Sequence, residues 1–394
     1  MKKRYSIGVV ISVCAIACAI TFVITVTVAT NMFNKLIGGV TQREEIYSKI
    51  QEIDSYVRNA AYYDIDEQSL INGIVNGYVG GLTDPEAAYL TEAQASKKRQ
   101  TEAGTMISAG LELSREESGY LRVDSIYANS PAEGLDIKVG DIITAVDGNN
   151  VLEIGADAAI TAVDGDENTN VRLSVQRSGE TKTVTITRKT FTVQSVTSAV
   201  VSGYGYIRID AFNQQTDKQF ISELQQLQAN GVLGYVIDLR NCRGIYDGLS
   251  NMLVKFAPGY LMANARHKDG TITKFLETAA SEDKITEPVV VLVNEGTAGA
   301  AELFALCMRD YSSAKIVGRQ TAGKGTVAET KNLSDGTAIV ITTAEILSVS
   351  STSISGGIKA DFSVELTGDP VYQPDSLVTD DPQLNKAFEV VEGM

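Results

Sequence analysis

Two short segments hold the residues with the clearest chemical potential. The first, V-L-V-N-E-G-T-A-G-A-A-E-L from Val291 to Leu303, is an apolar run that enters small residues and leaves as a helical pattern. The second, T-A-G-K-G from Thr321 to Gly325, sets Lys324 between two glycines. In the first, Gly296, Ala298, Gly299, Ala300 and Ala301 permit a sharp bend and close backbone approach. A helix starting there aims its N–H groups and positive dipole end at the bend, which stabilises an oxyanion in acyl transfer. Lys324, 25 residues beyond Gly299, brings an amine that acts as a base when burial disfavours the ammonium. Hydrolases that pair a serine with a lysine present the two groups in this way. The turn itself carries no serine, and its tip, Gly299, is a glycine. Taken alone, the same residues also fit a close helix–sheet contact and a solvated lysine.

Other chemistries have less support. The single histidine, His267, stands in a polar R-H-K-D stretch and in no motif for a Ser/His/Asp site. Cys14 and Cys18 fall in an apolar run, which leaves Cys242 and Cys307 as one further pair, too few for a disulfide framework or a Cys/His metal cluster. No metal and no cofactor are expected. The net charge of −15 opposes nucleic-acid binding, which needs a basic patch.

The elements that must position these groups follow from the patterning. Lys2, Lys3 and Arg4 precede an apolar run over residues 7–29, long enough to span a bilayer and longer than the core of a cleaved signal. It reads as an uncleaved anchor, with the basic flank cytoplasmic and the bulk of the chain outside. Residues 1–33 are this flank and anchor, and 34–103 a small helical region with helices over 41–63 and 66–79. Residues 104–190 have the short alternating strands of a partly open β-barrel (121–126, 142–146, 171–176, 183–187) and one helix over 156–163. From 191 to 368 strands and helices alternate, which implies an α/β core. Strands are expected over 205–209, 234–239, 289–293, 315–317, 338–342 and 362–366. Helices are expected over 217–230, 249–257 and 300–310. Residues 369–394 read as a proline-bearing linker and a last helix over 382–391. The fold class is thus a multidomain α/β (α+β) chain with an N-terminal membrane helix.

Several segments, in this order, resemble the C-terminal processing (tail-specific) peptidases. D-P-E-A-A-Y-L-T (84–91) is similar to that family's D-P-Y-S-x-Y-L-T. N-S-P-A-E-G-L-D-I-K-V-G-D-I-I-T-A-V-D-G (129–148) resembles the core of a PDZ domain. G-Y-I-R-I-D-A-F (205–212), V-I-D-L-R-N (236–241), the two chemical segments and D-P-Q-L-N-K-A (381–387) follow. The resemblance implies a Ser/Lys protease core fed by a PDZ domain that grips substrate C-termini by strand addition. It also implies a carboxylate loop at Ser108, Ala109, Gly110 and Leu111, with Leu111 and Leu113 lining an apolar pocket; core packing is the other reading of both leucines. The oxyanion hole would use backbone at Gly244, Ile245 and Ala300, and Lys324 would be the general base.

The chain also departs from that pattern. Counting three residues back from Glu302 puts the family's serine at Gly299, where no side chain exists for covalent catalysis. The glutamine that orients the lysine is replaced by Ala328, and N-x-P-G-G becomes Asn241-Cys242-Arg243-Gly244-Ile245, with an isoleucine that poorly tolerates positive φ. The late P-S-G-R segment survives only in part from Val349 to Asp361. Three functions compete. One is an extracytoplasmic pseudoprotease that binds the C-terminal tails of secreted or envelope proteins, alone, as a homo-oligomer or beside an active relative. Another is a protease with an unusual nucleophile, Thr297 or Cys242. The third is a non-enzymatic envelope assembly module.

Overall fold

The computed structural model describes residues 7–350, 353–366 and 381–394. The basic flank, Ser351 and Thr352 of the late segment, the prolines Pro370 and Pro374, and the side chains of Cys14 and Cys18 lie outside the described residues. The chain divides into Met1–Val75 and Asn76–Met394.

In the first unit the apolar run and the helix expected over 41–63 join in one unbroken helix, α1 (Ile7–Ala60). Its backbone runs through the Gly38-Gly39 pair, although each glycine costs a helix roughly 1 kcal/mol. The apolar run lies in α1, but many of its side chains are outside the described residues. Among the described residues no helix is long and apolar enough to cross a membrane. Asp66 caps α2 (Glu67–Gly80) by accepting from the Gln68 and Ser69 amides at 3.0 and 3.1 Å.

The second unit begins its folded body with a short strand, Ala88–Leu90, and α3 (Glu92–Ala103), capped by Thr91 and Gln94 in a capping box. A six-stranded antiparallel sheet follows, built from Leu111–Arg115, Leu121–Ile126, Ile142–Val146, Asn149–Asn150, Asn170–Arg177 and Glu180–Thr187. Period-two burial in Asn170–Arg177 sends Val171, Leu173 and Val175 inward, where they meet Leu121, Val123, Ile143 and Val146. Two helices, α4 (Val151–Ile154) and α5 (Ala156–Val163), close this core. A ribbon of Thr105–Ser108 with Lys189–Thr192 joins the domain's entry and exit.

The larger core is a six-stranded sheet in the order Val196–Val201, Tyr204–Ile209, Tyr235–Asp238, Val289–Val293, Lys315–Gly318, Phe362–Ser363, parallel except for the first pair. The central strand, V-V-V-L-V, is buried at every residue because both faces are covered. Val289, Val291 and Val293 face α6 (Thr216–Ala229), α7 (Leu249–Leu253) and α8 (Ala300–Ser312). Val290 and Leu292 face α9 (Pro382–Glu392) through Leu384, Ala387 and Val391.

One buried ion network fastens α9. Arg240 donates to Asp238 at 2.6 Å and to Asp381, the N-cap of α9, at 2.6 Å. Burial alone would raise the Asp238 pKa, but Arg240 and Arg208 outweigh it and hold the carboxyl below its usual range.

A second, antiparallel sheet pairs Ala338–Ser348 with Ala88–Leu90, Leu261–His267 and Thr326–Asn332, and Leu261–His267 with Ile272–Glu277. Several expected bounds shift. The strand from Ala338 extends to Ser348, α7 stops at Leu253, and His267 ends a strand, its Nε2 2.9 Å from Thr273 Oγ1.

Candidate active site

The Val289–Val293 strand delivers the chain to a turn that side chains close locally. Asn294 N–H donates to Thr297 Oγ1 at 3.0 Å, and Thr297 N–H returns to Asn294 O at 2.9 Å. Asn294 Oδ1 also accepts from Asn241 N–H at 2.8 Å, and Ala298 N–H donates to Cys242 O at 3.0 Å. The small-residue turn is thereby stitched to the D-L-R-N loop of the neighbouring strand.

At the apex Gly299 adopts φ 63°, ψ −116°, immediately before α8. This is the bend of a strained strand-to-helix elbow, which a serine occupies only at a backbone cost. A Cβ built at Gly299 would meet the Tyr246 hydroxyl at 3.6 Å and Gly244 O at 3.7 Å, both ordinary contacts, so the space for a side chain remains.

Glu302, which the sequence offered only as a register mark, joins the two chemical segments. Its Oε2 accepts from Gly299 N–H at 3.0 Å and Lys324 N–H at 2.9 Å. Its Oε1 accepts from Gly323 N–H at 2.6 Å and the Thr321 hydroxyl at 2.5 Å. One buried carboxylate therefore gathers three main-chain amides and a hydroxyl across 25 residues of chain between Gly299 and Lys324.

Gly299, Lys324, Ala328, Gly244 and Ile245 line one cleft of about 650 Å³, with Tyr246, Phe275 and Val327 among its other walls. The Lys324 side chain is 48% exposed and its Nζ lies 3.3 Å from Glu86 Oε2. Ala328, expected at the lysine-orienting position, brings no polar group to the cleft. Tyr246 donates its hydroxyl to Thr326 O at 3.0 Å. Burial first, then the Glu302 and Glu86 carboxylates, push its pKa well up and keep it a phenol.

The oxyanion positions divide. Ala300 is the first residue of α8, and its N–H has no intrahelical acceptor. Ile245 does not supply a donor to the cleft, because its N–H is given to Phe212 O at 3.0 Å. Nor is Ile245 left-handed: that conformation falls to Gly244, at φ 146°, where a Cβ would come within 1.9 Å of Phe212 O. What Gly244 turns towards position 299 is its carbonyl oxygen, an acceptor.

Neither substitute nucleophile reaches the cleft wall. Thr297 is fully buried, and its hydroxyl donates to Leu239 O at 2.8 Å. Cys242 is fully buried as well, and burial, then the Asp210 and Asp238 charges, raise its thiol pKa well above the usual value. The thiolate needed for attack is therefore suppressed.

In the smaller domain, Ala109 and Leu111 are buried in the core and Leu113 packs against it half-buried. Gly110 N–H donates to Ser108 Oγ at 3.1 Å, and Ser108 Oγ in turn donates to Asp164 at 2.8 Å. The Leu111–Arg115 strand lies at the sheet's edge.

Comparison with known proteins agrees with this architecture. The profile of peptidase family S41 matches residues 203–364, and a PDZ domain profile matches residues 122–177. The chain is 30% identical over 327 residues to the "Carboxy-terminal processing protease CtpA" of Bacillus subtilis (strain 168), covering 81% of this chain and 69% of that one. It is 32% identical over 363 residues to a "Probable CtpA-like serine protease" of Staphylococcus aureus (strain N315), covering 90% and 71%. Among solved structures, a photosystem II D1 C-terminal processing protease aligns at 24% identity with a TM-score of 0.47, over 87% of this chain and 90% of that one. With two profiles in their expected order and identity extending over more than two thirds of those relatives, the chain belongs to the carboxy-terminal processing proteases of peptidase family S41, which pair a serine-protease core with a PDZ domain.

Proposed function

We propose that this chain is a membrane-anchored, extracytoplasmic family member that binds the C-terminal tails of secreted or envelope proteins without cutting them. One observation carries the reading: the apex of the elbow, in one cleft with Lys324, is a glycine. A serine-protease site stripped of its nucleophile retains only roughly 10³–10⁴-fold over water. The relatives' carboxy-terminal processing then transfers as recognition of carboxyl-terminal tails. The edge strand Leu111–Arg115 supports that recognition, and Leu113, half-buried against the core, is the residue we assign to meet an apolar last residue. The apolar run over residues 7–29 supports an uncleaved anchor, and the basic flank supports a cytoplasmic N-terminus. A second copy, or an active relative acting on the tails it holds, is the partner this role calls for.

The test uses the full chain in detergent with an unstructured protein that ends in apolar residues, alongside Lys324→Ala. Tail binding without cleavage is expected, with binding lost when the last residues are removed or in Leu113→Asp. Lysine-dependent cleavage by the natural chain would refute the reading. Resistance to alkaline extraction from membranes, lost on deleting residues 1–33, tests the anchor.

A further inference from the structure

The lysine of the cleft has a carboxylate partner that the turn before the Ala88–Leu90 strand is built to deliver. Asp84 Oδ2 accepts from Thr342 N–H at 2.7 Å, and Oδ1 accepts from the Thr342 hydroxyl at 2.9 Å and from Glu86 N–H at 3.0 Å. The Asp84-Pro85-Glu86 turn is thus pinned to the sheet that also carries Thr326–Asn332. Glu86, 16% exposed in its side chain, accepts from the Thr326 hydroxyl through Oε1 at 2.9 Å. Its Oε2 is buried and accepts no hydrogen bond of good angle among the described residues; its counter-charge is the Lys324 ammonium 3.3 Å away.

An ion pair fixes where the Lys324 Nζ can reach, and freeing the lysine from it costs the attraction of the pair. We propose that Glu86 is a positioning residue that tethers the Lys324 Nζ to the Asp84-Pro85-Glu86 turn, so that the site is closed twice, by the absent hydroxyl at Gly299 and by the engaged lysine. This rests on reading Gly299 as the emptied nucleophile position. It adds that restoring the serine alone does not restore a working dyad.

The test compares Gly299→Ser with Gly299→Ser/Glu86→Gln in the full chain, with a fluorophosphonate as probe. In labelling, the serine Oγ–P bond forms, the P–F bond breaks, fluoride leaves, and the hydroxyl proton passes to the lysine amine. The double variant is expected to label about fivefold faster, the upper range for a partly exposed ion pair. Glu86→Asp in place of Glu86→Gln keeps the charge and is expected to label as slowly as Gly299→Ser alone. Raising salt from 20 to 500 mM, on the order of a severalfold shorter screening length, is expected to speed Gly299→Ser and leave the Gln double variant unchanged. Equal rates for single and double variants, labelling in neither, or labelling that survives Lys324→Ala would each overturn the proposal. Cleavage by the unmodified chain would instead refute the reading of Gly299, so the two failures are distinguishable.

Discussion

The conformation of Gly299 makes a quantitative prediction about Gly299→Ala. At φ 63°, ψ −116° an L-residue is in a sparsely populated region, which costs roughly 1–3 kcal/mol. The neighbours add nothing, because the nearest atoms to the new Cβ would be 3.6 and 3.7 Å away. Replacing glycine also removes unfolded-state freedom, which returns about 0.4–1 kcal/mol. The net effect is a loss centred on about 1 kcal/mol and at most about 2.6 kcal/mol, or a fall of roughly 2–4 °C in Tm at the centre of that range for a core of this size. Calorimetry of the full chain measures it, with hydrogen exchange along Ala300–Ser312 locating it. Gly73→Ala, inside α2 where nothing lies within 4 Å, is the control of opposite sign and is expected to stabilise by roughly 0.5–1 kcal/mol. A Gly299→Ala variant as stable as the natural chain, or more so, would refute the argument that the elbow keeps its strained form.

Three further outcomes follow from the buried groups. Arg240→Ala strips Asp381 of its buried cation and leaves Asp238 only Arg208 and the Tyr206 hydroxyl, and is expected to cost about 3–5 kcal/mol, with faster proteolysis or amide exchange of Pro382–Glu392. Asp238 and Asp141 have folded pKa values below the unfolded value of about 3.9, Asp238 through arginines that outweigh burial and Asp141 chiefly through Arg177. Their stabilisation is therefore complete above about pH 4 and lost as pH falls through the folded values, so the urea midpoint should stay level in this respect from pH 5 to 8 and drop below about pH 4. Cys242 and Cys307, both buried with thiol pKa values raised chiefly by burial, should resist iodoacetamide at about pH 8 until denaturant is added.

The legible parts of the sequence were those set by local pattern. The apolar run 289–293, the helix start at Ala300, the helix Ala156–Val163 and the strands Leu121–Ile126 and Ile142–Val146 stand where periodicity puts them. The hairpin of Leu261–His267 and Ile272–Glu277 was not visible, because its mixed residues gain a buried face only from the distant Ala338–Ser348 strand. The site divides in the same way. Gly299, Lys324, Ala328 and Gly244 could be named from motif order, and the fold brings them to one cleft. The partners that set its electrostatics could not. Glu86 reaches Lys324 and Thr326 only through the sheet, across 240 residues in the second case, and an isolated glutamate in sequence reads as solvated. The oxyanion loop misled for a subtler reason: motif matching names residues, whereas whether an amide or a carbonyl faces the cleft is decided by one peptide plane, here that of Gly244 and Ile245.

Glu302 holds the Gly299 turn and the Lys324 segment through main-chain amides and one threonine hydroxyl. No atom of a side chain at position 299 takes part in that hold. Shape and reactivity are inherited separately in this scaffold. The fold asks of the apex only a residue that tolerates its backbone conformation, whereas the chemistry asks for a hydroxyl. A survey that counts hydrolases by outline would count this chain among them, whereas one that asks for a hydroxyl at the elbow would pass it by.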